Sequence, residues 1–406
     1  MTDRKHRTRV LAVVLAGGEG TRLGVLTKGR AKPALPFGGS YRLVDFTLSN
    51  CVHSGLSDVW VVEQYESHTL NDHLASGRPW DLDRTRGGLQ VLPPALTGDA
   101  PGGGEGGFTR GNADALYRNL HLLREFDPDV LLVLSADHVV LMDYAEVLDA
   151  HAATGAGVTL VTVKVPQGES ATRFGNVRVA EDGRVTDFRY KPDEPISDVV
   201  TTEVFAYDAP QLFVALEEIA AEQNGNLKDF GHELIPRFVG SGRAFAFAFD
   251  GYWRDVGTPD AYWQAHADLL EGRVGRLDDP SWPVLSSGLA RQPSRFAQTA
   301  RLEDSMIASG CDVRGEVVRS VLAPGVVVEA GATVRDSVLL QDVHVKAGAR
   351  VERAVLDERV VVARDARVGG PGGVTVVGAG AQLTAGSVLR AGESVEPGVR
   401  PELRSV

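Results

Sequence analysis

The chain has 406 residues, 43% of them apolar, and a formal net charge of −12. That length and apolar content suffice for two domains with cores of their own, and the acidic balance argues against nucleic acid or an anionic membrane as partner. Two cysteines, Cys51 and Cys311, give neither a disulfide framework nor zinc spacing, and the start Met1-Thr2-Asp3-Arg4-Lys5-His6-Arg7 is too polar for a signal or a membrane span, so a reducing cytoplasm is expected.

The first predicted element is a buried parallel strand over the apolar run 10–14. It delivers Leu15-Ala16-Gly17-Gly18-Glu19-Gly20-Thr21-Arg22-Leu23, with Arg30-Ala31-Lys32-Pro33 close behind. Glycines at 17, 18 and 20 let the main chain approach ligand oxygens and turn its N–H groups into an anion-binding concavity. Arg22 and Lys32 add a fork and a point charge. The stretch lacks the Gly-Lys-Ser/Thr ending of a Walker loop and the G-x-G-x-x-G of a dinucleotide site, so the motif is neither of these. The nucleotide is expected on Leu15, Ala16, Gly17, Gly18, Gly20 and Thr21.

Further along, strand-like runs 59–62, 130–134 and 158–163 alternate with helical patterns, which predicts an α/β domain with a mostly parallel sheet over 8–265. Ligands of such sheets sit beyond the C-terminal strand ends, where 17–22 and Asp137 fall. Gln64 follows one strand. Gly111 and Asp114 lie in Arg110-Gly111-Asn112-Ala113-Asp114-Ala115, where helix capping competes with a ligand role for Asp114. The glycine-rich segment 102–107 reads as a surface loop over the nucleotide. Residues 266–300, with several prolines and serines, form a connector. Over 301–400 the grammar changes. Val321, Val327, Thr333, Leu339, Val345 and Val351 recur every six residues, as do Val377, Leu383, Leu389 and Val395, with Gly380, Gly386, Gly392 and Gly398 in step. That period predicts a left-handed parallel β-helix whose apolar corners stack in a column.

Taken together, the glycine loop, Arg30-Ala31-Lys32-Pro33, Phe37-Gly38-Gly39, Arg42-Leu43-Val44-Asp45-Phe46, Gln64-Tyr65-Glu66, Ser135-Ala136-Asp137-His138 and Tyr252-Trp253-Arg254-Asp255-Val256-Gly257 resemble the sugar-nucleotide pyrophosphorylases, most closely the ADP-glucose pyrophosphorylase branch. The resemblance implies a Rossmann-like nucleotidyltransferase domain. There a sugar-1-phosphate oxygen attacks the α-phosphorus of a nucleoside triphosphate and pyrophosphate leaves. It implies Mg2+ on Asp137 and Asp255. Arg22 is similar to the residue that steadies pyrophosphate, Lys32 to the one that holds the triphosphate, and Lys191 to the one that grips the acceptor phosphate. Gln64, Gly111 and Asp114 fall on the nucleotide side. Arg22, Lys32 and Asp137 form the catalytic set, and His138 reads as a loop-packing residue. A homodimer or homotetramer held by the β-helix is expected.

Departures gather at the acceptor end. Tyr190-Lys191-Pro192 stands where the family shows Glu-Lys-Pro, and Thr201-Thr202-Glu203 replaces a Ser-x-Gly run. Phe108-Thr109 replaces an aromatic pair, and a glutamine expected near Ala95-Leu96 is missing. The acceptor is therefore expected on Thr109, Tyr190, Lys191, Thr201, Glu203 and Asp255. It is a sugar-like phosphate that these changes shift toward a C7-cyclitol such as valienol 1-phosphate, with GTP, in antibiotic biosynthesis. Ordinary ADP-glucose synthesis from ATP is the alternative reading. A non-catalytic regulatory subunit is the alternative from another class.

Overall fold

A computed structural model describes residues 8–17, 20–93, 109–166, 170–288 and 291–399. Gly18, the segment 102–107, Phe108 and Ala95-Leu96 lie outside the described residues.

The strand Val10–Ala16 buries both faces: Leu11 and Val13 belong to one core, Ala12 and Val14 to the other. Burial of such side chains is worth about 1.5–3 kcal/mol each. It pairs in parallel with Asp58–Glu63 on one side and Val130–Ser135 on the other, and Gly88–Leu92 extends the sheet in parallel. The nine-stranded sheet is completed by Val158–Lys164, Gly175–Val179, Val185–Tyr190, Val199–Asp208 and Ala244–Ala248. Of these nine strands only Val185–Tyr190 and Val199–Asp208 run against the others. The C-terminal ends of the central strands therefore bring the start of the glycine loop, Gln64 and Asp137 to one edge.

The C-terminal part is a left-handed parallel β-helix of three six-stranded parallel sheets. Helix Pro259–Leu270, capped by the Thr258 side chain on the Ala261 N–H at 3.2 Å, crosses position 265, and the first rung strand, Arg295–Phe296, precedes 301. The coil is not a strict multiple of six. Val321 stacks on Val338 and Val338 on Val355, 17 positions on each time. The residue is lost at one corner, where only Arg319 and Ser320 separate two strands. This corrects the phase of the six-residue reading. Leu322, Val328 and Val334, not Val321, Val327 and Thr333, share the inward column with Leu339, Val345 and Val351. At the short corner Ser320 and Ser337 are buried, and each hydroxyl accepts the N–H of the next coil, from Ser337 and Ala354, at 3.1 Å. In the later coil Val377, Leu383, Leu389 and Val395 stand where the period puts them, and Gly380, Gly386, Gly392 and Gly398 take the left-handed φ of 70–78° that the corners require.

The two parts share one apolar cluster. Leu23, Val25 and Leu26 of the catalytic part, with Val256, Tyr262 and Leu269, pack with Val338, Val355, Val374 and Val376 of the coils. Trp263 donates its indole N–H to the Asp336 carbonyl at 2.6 Å, and the Arg353 guanidinium lies 4.1 Å above its ring. Arg30 reaches Asp357 at 3.1 Å and Glu358 at 3.0 Å. Among the described residues no helix is long and apolar enough to cross a membrane.

Candidate active site

Asp137 leaves the strand Val130–Ser135 and is followed at once by His138–Val140, which pairs antiparallel with Trp253–Asp255 so that His138 faces Asp255. This short ribbon brings two aspartates from distant parts of the chain together. Lys32, buried at the start of the turn Lys32–Ala34, donates its ammonium to Asp137 and lies 3.5 Å from Asp255 Oδ1. Burial opposes the charge on Lys32, but Asp137 and Asp255 outweigh it and hold the amine above its ordinary range. Burial likewise works against ionisation of Asp137, yet the Lys32 ammonium, His138 and the Ser135 hydroxyl keep its carboxyl well below the usual carboxylate range.

Arg22 joins the same place from the turn Thr21–Thr27. A Cβ built on Gly257 would sit 3.0 Å from Asp255 Oδ2, 3.1 Å from Arg22 Nη2 and 3.2 Å from Arg173 Nη2, so three charged groups converge over a bare glycine. Arg173 also lies 3.5 Å from Asp255. His138 packs edge-on against Trp253 and accepts its indole N–H on Nδ1 at 3.3 Å. That assigns the proton to Nε2, which points to Asp137 Oδ1 at 3.6 Å. His138 is thus both a packing residue and a neighbour of the carboxylates.

Of the residues expected on the nucleotide, Leu15 and Ala16 end the first strand beside Ser135 and Glu63. The Gln64 side chain lies over Gly17, where a Cβ would come within 2.7 Å of it, and donates to Thr109. Thr109, expected on the acceptor, is thus in contact with Gln64. Gly20 takes φ 66°, its carbonyl accepting from the Thr27 hydroxyl at 2.9 Å, and Thr21 is exposed beside it. Gly111 packs on the backbone of Lys228 and Asp229, too closely for a Cβ. Asp114 is buried, taking the Arg110 N–H at 2.9 Å and the Arg118 guanidinium at 3.0 Å. Those bonds make it a clamp on the Arg110-Gly111 turn.

Of the residues expected on the acceptor, Tyr190, Thr201 and Glu203 meet in a second cleft, lined also by Asn112, Gly175 and Asp229 among others, whereas Asp255 lies with Lys32. Tyr190 donates to Asp229 at 2.9 Å and accepts from the Lys191 ammonium at 2.7 Å. Its ring occupies the space over Gly231, where a Cβ would fall 2.0 Å away. Burial, then the Asp229 carboxylate, push the phenol up, so it stays a donor. Glu203 sits in a bulge between Thr201 and Phe205 at φ 57°, which costs an L-residue about 1–2 kcal/mol. Burial raises its carboxyl, as do Asp137 and Asp255, against His138 and Lys191.

Arg173 and Asp229 were not among the residues the sequence singled out. For Asp229 a signal existed in Lys228-Asp229-Phe230-Gly231, a turn whose glycine makes room for Tyr190. Arg173 had none, because its place depends on how Thr172-Arg173-Phe174 enters the next strand.

As a donor set, Asp137 and Asp255 fit a magnesium ion that keeps waters and takes further oxygens from substrate phosphates. Among the described residues no cluster of three or more His, Cys, Asp or Glu forms an all-protein cage. The Lys32 ammonium, drawn between the two carboxylates, shows that this spot attracts positive charge.

The sequence model of the family described as Nucleotidyl transferase matches residues 11–272, and that of the GlmU-like, C-terminal hexapeptide matches 292–371. This chain belongs to the nucleotidyl transferase family. The glucose-1-phosphate adenylyltransferase of Thermotoga neapolitana is 44% identical over 80% of this chain and 76% of its own length. The Clostridium novyi protein of that name is 41% identical over 95% of this chain and 99% of its own. The one from Clostridium acetobutylicum is 40% identical over 79% and 83%. As a nucleotidyl transferase the chain is an enzyme, and its catalytic part carries the Lys32–Asp137–Asp255 assembly.

Proposed function

We propose that this enzyme joins a nucleoside triphosphate to a sugar-1-phosphate-like acceptor with release of pyrophosphate. The observation that carries the reading is the convergence of Arg22, Lys32, Asp137 and Asp255 beyond the C-terminal ends of the parallel strands. The acceptor phosphate oxygen forms a bond to the α-phosphorus as the bond to the β-phosphate oxygen breaks. The attacking oxygen is already ionised, so no general base is needed. The work lies in bringing anions together in line. Lys32 and Arg22 neutralise the triphosphate and the departing pyrophosphate, and Lys191, carried beside Tyr190, meets the acceptor phosphate. Gln64 and Gly111 face the base. Asp137 and Asp255 would hold Mg2+, which would polarise phosphate oxygens and offset their charge. His138 and Arg173 steady the two carboxylates.

For the acceptor we favour a C7-cyclitol phosphate such as valienol 1-phosphate, with GTP, because Tyr190 and Glu203 rebuild the cleft where a ring would lie. The second reading is adenylyl transfer to glucose 1-phosphate, which the names of the relatives favour. Pyrophosphate release by the purified enzyme with Mg2+, crossing ATP and GTP with glucose 1-phosphate and valienol 1-phosphate, separates them. Preference for the cyclitol supports the first reading; efficient ADP-glucose formation overturns it in favour of the second. No turnover with any pair, by a folded protein, overturns both and leaves the regulatory-subunit reading.

A further inference from the structure

Three of the four acids around the two clefts are satisfied within the protein. Asp137 takes the Lys32 ammonium. Asp255 faces Lys32 and Arg173 at 3.5 Å each. Asp229 accepts the Tyr190 hydroxyl at 2.9 Å and the Asn112 N–H at 3.1 Å. Glu203 is different. Among the described residues no hydrogen bond or ion pair reaches its carboxylate, although it is half-buried and lines the cleft with Tyr190, Thr201 and Asp229. It is also held in a backbone conformation that glycine adopts freely and glutamate does not, at the bulge that interrupts pairing with Val158–Lys164. His138, Lys191 and Lys32 attract it only from beyond contact distance and its oxygens make no hydrogen bond within the protein, so a strained position carrying such an acid is unfavourable for the free enzyme. In its ionised form this carboxylate only accepts, so the partners it lacks are donors, and the cleft it lines is the place from which they come.

We propose that Glu203 is a specificity-determining residue that accepts hydrogen bonds from ring hydroxyls of the acceptor, delivered to them by the bulge. This rests on the transferase reading above and goes beyond it. The acceptor is a polyhydroxylated ring monophosphate whose free hydroxyls face position 203, and a ring deoxygenated on that edge is a poor substrate.

The test measures steady-state KM for both substrates in the wild type, Glu203→Gln and Glu203→Gly, with thermal midpoints alongside. Acceptors are glucose 1-phosphate, valienol 1-phosphate and their singly deoxygenated analogues. The expected result is a KM for the preferred acceptor raised about ten- to a hundredfold in Glu203→Gln, an unchanged nucleotide KM, and loss of discrimination against one deoxygenated ring in both variants. Glu203→Gly keeps or raises the thermal midpoint, because the left-handed turn then fits its residue. A merely structural role would instead lower the midpoint and shift both KM values together, and that outcome overturns the proposal. So do unchanged acceptor KM values in an active enzyme. A preference for glucosamine 1-phosphate that Glu203→Gln abolishes also overturns it, since the donor would be an ammonium. Absence of turnover in the wild type is a failure of the transferase reading and is recognised as such before any variant is compared.

Discussion

Asp137 and Asp255 would repel each other if the Lys32 ammonium did not lie between them, so this lysine assembles the site, and in the proposed reaction it would also supply charge. Replacing it by methionine leaves two facing carboxylates without their cation. We expect Lys32→Met to reduce pyrophosphate release about 10²–10³-fold, with circular dichroism unchanged. A second residue-scale prediction concerns Glu63, buried at the end of its strand with Asn71 on one oxygen at 2.9 Å and nothing on the other. Burial raises its carboxyl to about 7. The folded state therefore keeps a proton that the unfolded chain has already lost, and stability falls as pH rises from about 4.5 to about 7. Glu63→Gln removes that loss. Its thermal midpoint exceeds the wild type at pH 8 and matches it at pH 4; equal midpoints at both pH values would contradict the assignment. The types of residue gathered here, glycine, lysine, arginine and carboxylate, were legible in the sequence as those that a phosphate and magnesium site would call for. The pairing of Asp137 with Asp255 was legible only by resemblance, because the 117 intervening positions carry no spacing signal and a two-stranded ribbon does the joining.

Among the elements, the β-helix shows where reading a period succeeds and where it slips. Its repeat was plain, but a six-residue ruler could not see that each 17-residue coil drops one position at the Arg319-Ser320 corner. The inward column in the first coils is shifted by one residue in consequence. Leu339 stands in that column without exposure, and Leu339→Ala should cost about 3 kcal/mol of stability, read from denaturant unfolding. The link between coils and catalytic part depends on pairs no local pattern announces. Arg30, two positions before Lys32, is held by Asp357 and Glu358. Asp357→Asn should cost about 2 kcal/mol and raise the nucleotide KM more than the acceptor KM, because the loop bearing Lys32 loses its anchor. An unchanged ratio of the two KM values would show that the pair only fastens the domains together.

For the whole molecule, the shared cluster of Leu23, Val256, Tyr262, Val338, Val355 and Val376 means that neither part keeps a complete surface without the other. Tryptophan fluorescence, reporting Trp60, Trp80, Trp253, Trp263 and Trp282, all ahead of the first rung strand, and far-ultraviolet dichroism, weighted by both parts, should give coincident thermal transitions. Two separated transitions would show that the cluster couples them weakly. The mostly parallel sheet and the stacked coils followed from alternation and repeat, but this common floor between them did not, since it is built from residues that each element's own periodicity leaves facing outward. The dropped residue at the short corner also sets a rule for how this chain tolerates changes in length. Four extra positions between Val355 and its partner Val376 are absorbed at a corner rich in glycine, Gly369-Gly370-Pro371-Gly372-Gly373, and the column continues through Val377. A single residue removed within a rung, by contrast, would rotate every following side chain by one place and turn the inward valines to water. Insertions are therefore accommodated at corners, whereas a one-letter deletion inside a strand propagates to the end of the stack.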